Sequence, residues 1–430
     1  MAGLIGIRRE DKNIWERRVP LTPYHVEQLY RHYSIQTVLQ PYDRRAFSDE
    51  EYAKVGARIE EDLNDCPIIL AVKEIPPELL LEDKTYLFFS HTIKGQESNM
   101  PMLRRLIKLN CSLIDYESIR DHEGKRKVFF GRFAGLAGMI DAFHVLGKRF
   151  EALGYETFFS TIKPAYEYHD LAEVKAAFSD LGEKITADQL PDFIHPFVVG
   201  FAGYGNVARG GQEIFDLLPH KNIKPEELPE LQYNDTTLFY KVLFTEKDLV
   251  RPVDVDMDFS LHDYYCYPKR YYSVFEHYLP HITLLVNGIY WDERYPRLVT
   301  KSFLQQNADT SRLLLIADIS CDINGAIEIT EKTTEPDHPA FIYNPKTDII
   351  QDGTEGEGIV NIAVDNLPAE LPRDASKEFS NALFPYIYDI VNCDFSQPFK
   401  TCDLNNDLKN ALILYKGRLT PNYEYLKTYL

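Results

Sequence analysis

Apolar residues along the chain gather in short continuous runs, each ended by charge or a turn. Leu4-Ile5-Gly6-Ile7 is the first, and charge follows at once. Residues 68–72 run into Lys73-Glu74 and are stopped by Pro76-Pro77; residues 86–90 run into His91. Later runs at 284–286, 313–317 and 359–364 end in Asn287-Gly288, Asp318 and Asp365-Asn366. Apolar runs without alternation predict parallel strands buried on both faces. The carboxyl edge of such a sheet is where ligands bind.

Helical periodicity separates these runs. Thr22 is the expected N-cap and Pro23 the first residue of one helix. Leu136, Met139, Ile140, Phe143, Leu146, Phe150 and Leu153 recur at helical steps. They predict a helix over residues 136–153 that Gly154 closes. Residues 155–195 are polar and read as an insertion. A helix carrying Val207, Gly211, Ile214 and Leu218 ends at Pro219. The tail from Leu371 reads as helical and is expected to return to the first domain. No internal repeat or low-complexity segment interrupts this order.

Composition narrows the function classes. The chain has 430 residues, enough for two or three cores, and a 44% apolar, 26% charged make-up typical of globular proteins. Acids outnumber bases 66 to 47, for a net charge of −19. Nucleic acid and anionic membrane both ask for a positive face, so neither is an expected partner. Cys66, Cys111, Cys266, Cys321, Cys393 and Cys402 are dispersed, without a CxxC pair or a Cys/His cluster. That predicts reduced thiols and no metal site. Arg8, Arg9, Glu10, Asp11, Glu16, Arg17 and Arg18 leave no apolar leader near the start, and no apolar run is long enough for a membrane helix. A cytoplasmic protein is the expectation.

Gly203-x-Gly205-x-x-Ala208 lies between the strand beginning Phe197-Val198-Val199 and a helix. The first glycine permits a tight turn, the second lets backbone approach a pyrophosphate, and the small third residue brings helix and strand together. The helix N-terminus offers unpaired N–H groups to phosphate. An ordinary βα turn is the plainer reading. The acid that would read a ribose is expected about 20 residues further on. Glu226 and Glu227 fall near that distance, but no apolar strand directly precedes them. Lys221 and Lys224 are equally close and would suit a 2′-phosphate, so these residues leave NAD and NADP open.

Lys73 and His91 end two predicted strands. If the strands share a sheet, both side chains could serve one cleft as acid and base. Taken singly, each reads better as structure: a solvated lysine and a helix-capping histidine. Arg17-Arg18 and Arg126-Lys127 are candidate carboxylate clamps, with Arg17 better read as surface charge. Ser320-Cys321-Asp322 and Asp365-Asn366-Leu367-Pro368 follow strands at the ligand edge, where helix capping is the alternative.

The segment Gly6-Ile7-Arg8-Arg9-Glu10-Asp11-Lys12-Asn13-Ile14-Trp15-Glu16-Arg17-Arg18-Val19-Pro20-Leu21-Thr22-Pro23 resembles the opening of lysine-ketoglutarate reductase. That enzyme is the amino-terminal half of the bifunctional aminoadipic semialdehyde synthase. The resemblance continues through Phe89-Ser90-His91-Thr92-Ile93-Lys94, Gly203-Tyr204-Gly205-Asn206-Val207 and Val286-Asn287-Gly288-Ile289-Tyr290-Trp291. It extends to Ala317-Asp318-Ile319-Ser320-Cys321-Asp322 and Asp365-Asn366-Leu367-Pro368-Ala369, and so covers essentially the whole chain. The lysine-forming saccharopine dehydrogenases and the alanine dehydrogenase group share the broader fold. Unlike the bifunctional enzymes, this sequence stops at Leu430, and a stand-alone reductase is expected.

The resemblance implies an α/β protein of two Rossmann-like domains with an interdomain cleft and a C-terminal segment returning to the first domain. Residues 1–135, completed by 371–430, would form the substrate domain, and residues 136–370 the dinucleotide domain. It implies NADPH-dependent formation of saccharopine from L-lysine and 2-oxoglutarate, with NADP(H) ahead of NAD(H). Lys73 and His91 match the acid–base pair. Arg18, Glu117, Arg126, Lys127, Ser320, Cys321 and Asp322 match substrate positions. Gly203, Tyr204, Gly205, Asn206, Val207, Tyr290, Ile319, Asp365, Asn366, Leu367 and Pro368 match cofactor positions. The rivals are an NAD-dependent lysine-forming or opine-type dehydrogenase and a catalytically silent nucleotide-binding subunit. Retention of both Lys73 and His91 disfavours the silent form. A separate saccharopine dehydrogenase partner and a homo-oligomer are the protein partners considered.

Overall fold

The computed structural model describes residues 3–230 and 235–430. The chain divides into two units, Met1–Phe130 with Pro372–Leu430, and Gly131–Leu371. The first is built on six parallel strands: β1 (Leu4–Ile7), β2 (Gln36–Leu39), β3 (Arg58–Ile59), β4 (Ile68–Leu70), β5 (Thr85–Phe88) and β6 (Ser112–Asp115). Their order is β3-β2-β1-β4-β5-β6, so direction reverses between β1 and β4. Open sheets of this topology bind ligands at that switch point. Ile7 lies opposite Leu70, Leu70 opposite Leu87, and Phe88 opposite Asp115. The residues after each strand therefore leave from one edge of the sheet.

Helices α1 (Pro23–Tyr33), α2 (Asp49–Lys54) and α3 (Met100–Lys108) cover this sheet with His25, Val26 and Leu29, with Tyr52, and with Met102, Leu103 and Leu106. Pro23 opens α1 as expected. The Thr22 side chain does not cap it; its hydroxyl lies 3.3 Å from His25 Nδ1. Ser48 and Glu51 close a reciprocal capping box on α2.

The second unit begins with α4 (Gly131–Ala152) and α5 (Leu171–Asp188). α4 starts before Leu136, and Gly154 follows it with a φ of +83°. α5 corrects the reading of residues 155–195 as an insertion. Asp170 caps it, and Val174, Phe178, Leu181 and Ile185 are buried at helical spacing. Next come β7 (Val198–Ala202), α6 (Asn206–Phe215), β8 (His220–Ile223), β9 (Phe239–Phe244) and α7 (Glu246–Leu249). β10 (Val250–Pro252), α8 (Leu261–Cys266) and β11 (Tyr271–Ser273) form a small excursion. β12 (Leu284–Asn287), α9 (Lys301–Gln306), β13 (Leu315–Asp318), β14 (Ala340–Asn344), β15 (Ile349–Asp352) and β16 (Ile359–Ile362) complete the unit.

The second sheet runs β15-β14-β16-β13-β12-β7-β9-β8 and is parallel except at β14 and β15. Ala202 lies opposite both Asn287 and Phe244, and Asn287 opposite Asp318. The segments after β7, β9, β12 and β13 thus share one edge. β8 is not the neighbour of β7; β9 is.

The tail returns to the first sheet. The Val19 and Thr22 N–H groups donate to the Ser376 and Ser380 hydroxyl oxygens of α10 (Pro372–Asn392), at 2.9 and 3.0 Å. Beyond α11 (Asn406–Ala411) the tail is strand before it turns helical again, closing on a 3₁₀ helix over Pro421–Tyr429. β17 (Leu412–Tyr415) pairs antiparallel with β6, and β18 (Arg418–Leu419) pairs with β17.

α4 and α6 meet backbone to backbone. A Cβ on Gly135 would lie 1.8 Å from the Val207 carbonyl oxygen, and one on Gly210 would lie 2.0 Å from that of Arg132. Arg132 then clamps Glu213 of α6 with paired N–H bonds, Nε to Oε2 at 2.9 Å and Nη2 to Oε1 at 2.9 Å. Gly210→Ala is expected to cost about 3 kcal/mol, because neither backbone can yield to the added methyl. Chemical denaturation of the variant checks this.

Several acids are buried. Asp141 of α4 and Glu370 sit against each other, and burial holds both carboxyls above the ordinary range. Burial also raises Asp318 to about 6 and Glu10 to about 7. The unfolded chain loses these protons near pH 4, whereas the folded chain keeps them, so stability falls as pH rises from about 4 to about 7. Thermal melts at pH 5 and pH 8 are expected to show the lower Tm at pH 8. Asp141→Asn is expected to shrink the difference.

Candidate active site

The edge of the first sheet gathers the proposed acid–base groups. Lys73 and His91 follow neighbouring strands, β4 and β5. His91 Nδ1 lies 3.2 Å from Glu74 Oε2, and Lys12 Nζ donates to Glu74 Oε1 at 2.5 Å. Burial pushes the Glu74 carboxyl up, but bonds from His91 and Lys12 outweigh it and hold the group below the usual range. Glu74 therefore stays ionised and fixes the imidazole by one nitrogen, leaving Nε2 for chemistry.

The backbone beneath these groups is held by two further acids. Glu10, just past β1, accepts the Val72 and Lys73 N–H groups at 2.7 and 3.0 Å, which ties β1 to β4 across the switch point. Asp115, at the end of β6, accepts the Ser90 N–H at 3.0 Å and the Ser90 hydroxyl. Ser90 precedes His91, whose φ is +50°. Asp115 Oδ1 also accepts the Glu117 N–H at 2.7 Å.

The candidate substrate cations are differently placed. Arg18 is buried, and Glu16 closes its fork with bonds of 2.8 Å to Nε and 2.5 Å to Nη2. Its guanidinium lies 4.1 Å above the Phe130 ring, which stacks on Phe379 of α10. Arg126 faces Glu117 at 3.6 Å, and Lys127 faces Asp121 at 3.6 Å. Arg17 donates to the Arg44 carbonyl at 3.3 Å.

The second sheet's edge holds the glycine turn. Gly203 has a φ of +97°, and a Cβ there would meet Ile289 at 2.9 Å, so glycine is required twice over. Gly205 is different: a Cβ on it would meet nothing within 4 Å. That open space faces the start of α6, where Asn206 and Val207 begin the helix. Open space at a helix N-terminus is compatible with an anion there. Gly203, Tyr204 and Gly205 line a cavity of ≈ 230 Å³ with Thr245, Glu246, Tyr265 and Tyr290. Glu246 Oε1 accepts the Tyr265 hydroxyl at 2.5 Å and the Tyr204 hydroxyl at 3.3 Å.

Other expected cofactor and substrate positions follow β12, β13 and β16. Tyr290 is 72% exposed, with its hydroxyl on Asp292. Ile319 and Leu367 are buried, and both side chains pack on α4 at Gly138. Ser320 donates its hydroxyl to the Ile289 carbonyl at 2.6 Å. Cys321 has a φ of +44°, and burial, with Asp318 nearby, pushes its thiol up to about 12, so it is no nucleophile. The Asp322 carbonyl accepts the Gly325 N–H. The Asp365 N–H donates to Thr334, the Asn366 carbonyl accepts from Ala369, and Leu367-Pro368 opens a short 3₁₀ turn.

Reading the residues alone missed Glu10, Glu74, Asp115 and Glu246 as parts of the site. Glu226 and Glu227 lie in the turn after β8, the edge strand, and Glu227 accepts the Lys224 N–H. The acid beside the glycine turn is Glu246, two residues past β9. Lys241 hid β9 by breaking its apolar run; it is buried on Asp216, Nζ to Oδ1 at 2.5 Å. Among the described residues, no group of three or more His, Cys, Asp or Glu is placed to hold a metal, and no helix is long and apolar enough to cross a membrane.

Residues 6–137 match the family described as "Alanine dehydrogenase/PNT, N-terminal domain", and residues 269–422 its C-terminal domain. The alpha-aminoadipic semialdehyde synthase of Arabidopsis thaliana is 39% identical over 99% of this chain, which spans 41% of that protein. A saccharopine dehydrogenase [NAD(+), L-lysine-forming] of Emericella nidulans is 25% identical over 93% of this chain and 95% of its own. A solved L-alanine dehydrogenase shares the fold, with a TM-score of 0.63, 18% identity and 99% of both chains covered. With both domains of that family present in order on two mostly parallel sheets, the chain belongs to the alanine dehydrogenase/PNT family.

Proposed function

We propose that the chain condenses L-lysine with 2-oxoglutarate and reduces the resulting imine to saccharopine. The observation that carries this reading is the His91–Glu74 pair beside Lys73, at the ends of adjacent strands. The likeness to alpha-aminoadipic semialdehyde synthases over 99% of the chain supports the choice of substrates.

The reaction asks for proton transfers in a fixed order. The ε-ammonium of lysine gives up a proton before its nitrogen attacks the keto carbon. Lys73 and His91 are the pair assigned to accept it. The carbinolamine then loses water, which needs a proton on the departing hydroxyl, and the same pair returns it. Glu74 keeps the imidazole oriented through both transfers and stabilises it when charged. The carboxylates of the two substrates are assigned to Arg126 and Lys127, with Glu117 setting the Arg126 side chain, whereas Arg18 is buried with its fork on Glu16 and is left out of this assignment. Ser320, Cys321 and Asp322 are assigned to further substrate contact.

A nicotinamide dinucleotide supplies the hydride when bound. Gly203, Tyr204, Gly205, Asn206 and Val207 would hold its pyrophosphate, and Tyr290, Ile319 and residues 365–368 are assigned to the rest of it. Whether NADP(H) or NAD(H) is used is decided at the adenosine ribose.

Mixing the chain with lysine, 2-oxoglutarate and reduced nucleotide is expected to consume nicotinamide absorbance and yield saccharopine by mass spectrometry. No turnover with NADH or NADPH would sink the proposal. Lys73→Met and His91→Asn are expected to lower kcat about 100-fold or more while sparing nucleotide binding. Glu74→Ala, which lets the His91 ring turn, is expected to cost up to about 100-fold in kcat with a smaller change in KM. Steady-state kinetics on the three variants tests each assignment.

A further inference from the structure

We propose that Glu246 makes this chain specific for NAD(H) and excludes NADP(H), contrary to the NADP(H) that the family resemblance implies. The proposal rests on the reading of the glycine turn as a nucleotide site.

Three observations carry it. The first is topological. β9, not β8, is the strand beside β7, and Ala202 before the glycine turn lies opposite Phe244. Glu246 follows two residues later, at the position from which an acid reaches the adenosine ribose of a dinucleotide on the turn. The segment holding β8 lies between the turn and β9, so this acid is about twice as far along the chain as the usual spacing suggests.

The second is that the carboxylate is held. Glu246 is the first residue of α7, and a capping box between Thr245 and Asp248 fixes the backbone there. The Tyr265 and Tyr204 hydroxyls both end on Oε1. Oε2 is thereby left to accept from the ribose 2′- and 3′-hydroxyls. A free 2′-hydroxyl donates to a carboxylate, whereas a 2′-phosphate has no proton to give at neutral pH and meets it as a like charge.

The third is what the cavity lacks. Its lining contains no lysine or arginine. Lys221 and Lys224, which the sequence offers for a 2′-phosphate, belong to the edge strand and the turn after it, one strand away from the glycine turn. Arg251 is bound to the Lys247 and Val250 carbonyls, and Lys247 is exposed and outside the lining. A phosphate would enter with the Glu246 carboxylate opposite it and no lysine or arginine in the lining to offset that, and Arg294, which lies over the Tyr295 ring of the lining, is taken up by Asp292.

Direct titration of the purified chain with NADH and with NADPH, without lysine or 2-oxoglutarate, tests this. Nicotinamide fluorescence or calorimetry gives Kd for each. NADPH is expected to bind about 100-fold more weakly than NADH, the scale of one like-charge contact. Glu246→Gln is expected to narrow that ratio to below about 10-fold, and Glu246→Arg to reverse it, with circular dichroism confirming that both variants fold. Tighter binding of NADPH by the unaltered chain, or an unchanged ratio in Glu246→Gln, would overturn the proposal. A chain that binds NADH selectively but turns over no amine and keto acid would overturn the proposed reaction and leave this assignment standing.

Discussion

The close approach of α4 and α6 is the constraint on which the second unit depends. Gly135 and Gly210 remove the side chains that would hold two helices apart, so each backbone rests on a carbonyl of the other. That contact sets where α6 begins relative to β7, and hence where the glycine turn opens. Gly288 repeats the device from the sheet side, where a Cβ would press on the Ala208 N at 3.1 Å. α4 also carries Asp141 and Arg149. Arg149 donates to the carbonyls of Thr354, Gly356 and Gly358, which anchors the loop leading into β16. One helix thereby fixes both the glycine turn and the far half of its sheet.

Both sheets solve the same problem at their carboxyl edges. Parallel strands bring several chain ends to one line, and each leaves polar groups that must be paired. In the first unit, Glu10 and Asp115 take up backbone N–H groups of the neighbouring strand ends and leave Lys73 and His91 on a fixed base. In the second, buried Asp318 accepts from Asn287 at 2.8 Å and from Thr330 at 2.6 Å, locking β12 to β13. Acids that tie an edge together in this way show where part of a strongly acidic chain's carboxylates go. The carboxylates are spent on backbone and on orientation.

Buried strands and the glycine turn were legible in the sequence because their signals are local. An apolar run stopped by Lys73-Glu74 or by His91 is a property of a few adjacent residues, and so is a strand–Gly203–helix junction. α5 was not legible as core, because its polar face outweighs Val174, Phe178, Leu181 and Ile185 in composition while its spacing carries the information. β17 was missed for a different reason. Leu412-Ile413-Leu414-Tyr415 is a short apolar run, but nothing nearby says that it pairs antiparallel with β6 across most of the chain.

The sequence by itself determined which groups exist to do chemistry, the order in which strands and helices form, and the turn that only Gly203 can make. Which groups meet was decided by tertiary structure alone. Glu74 acquires its role from the register that sets β5 beside β4, and Glu246 from the strand order that sets β9 beside β7. Strand order is fixed by how a whole sheet buries its two faces. No short stretch of residues encodes that balance, so a residue's partners two strands away stay hidden until the sheet is assembled.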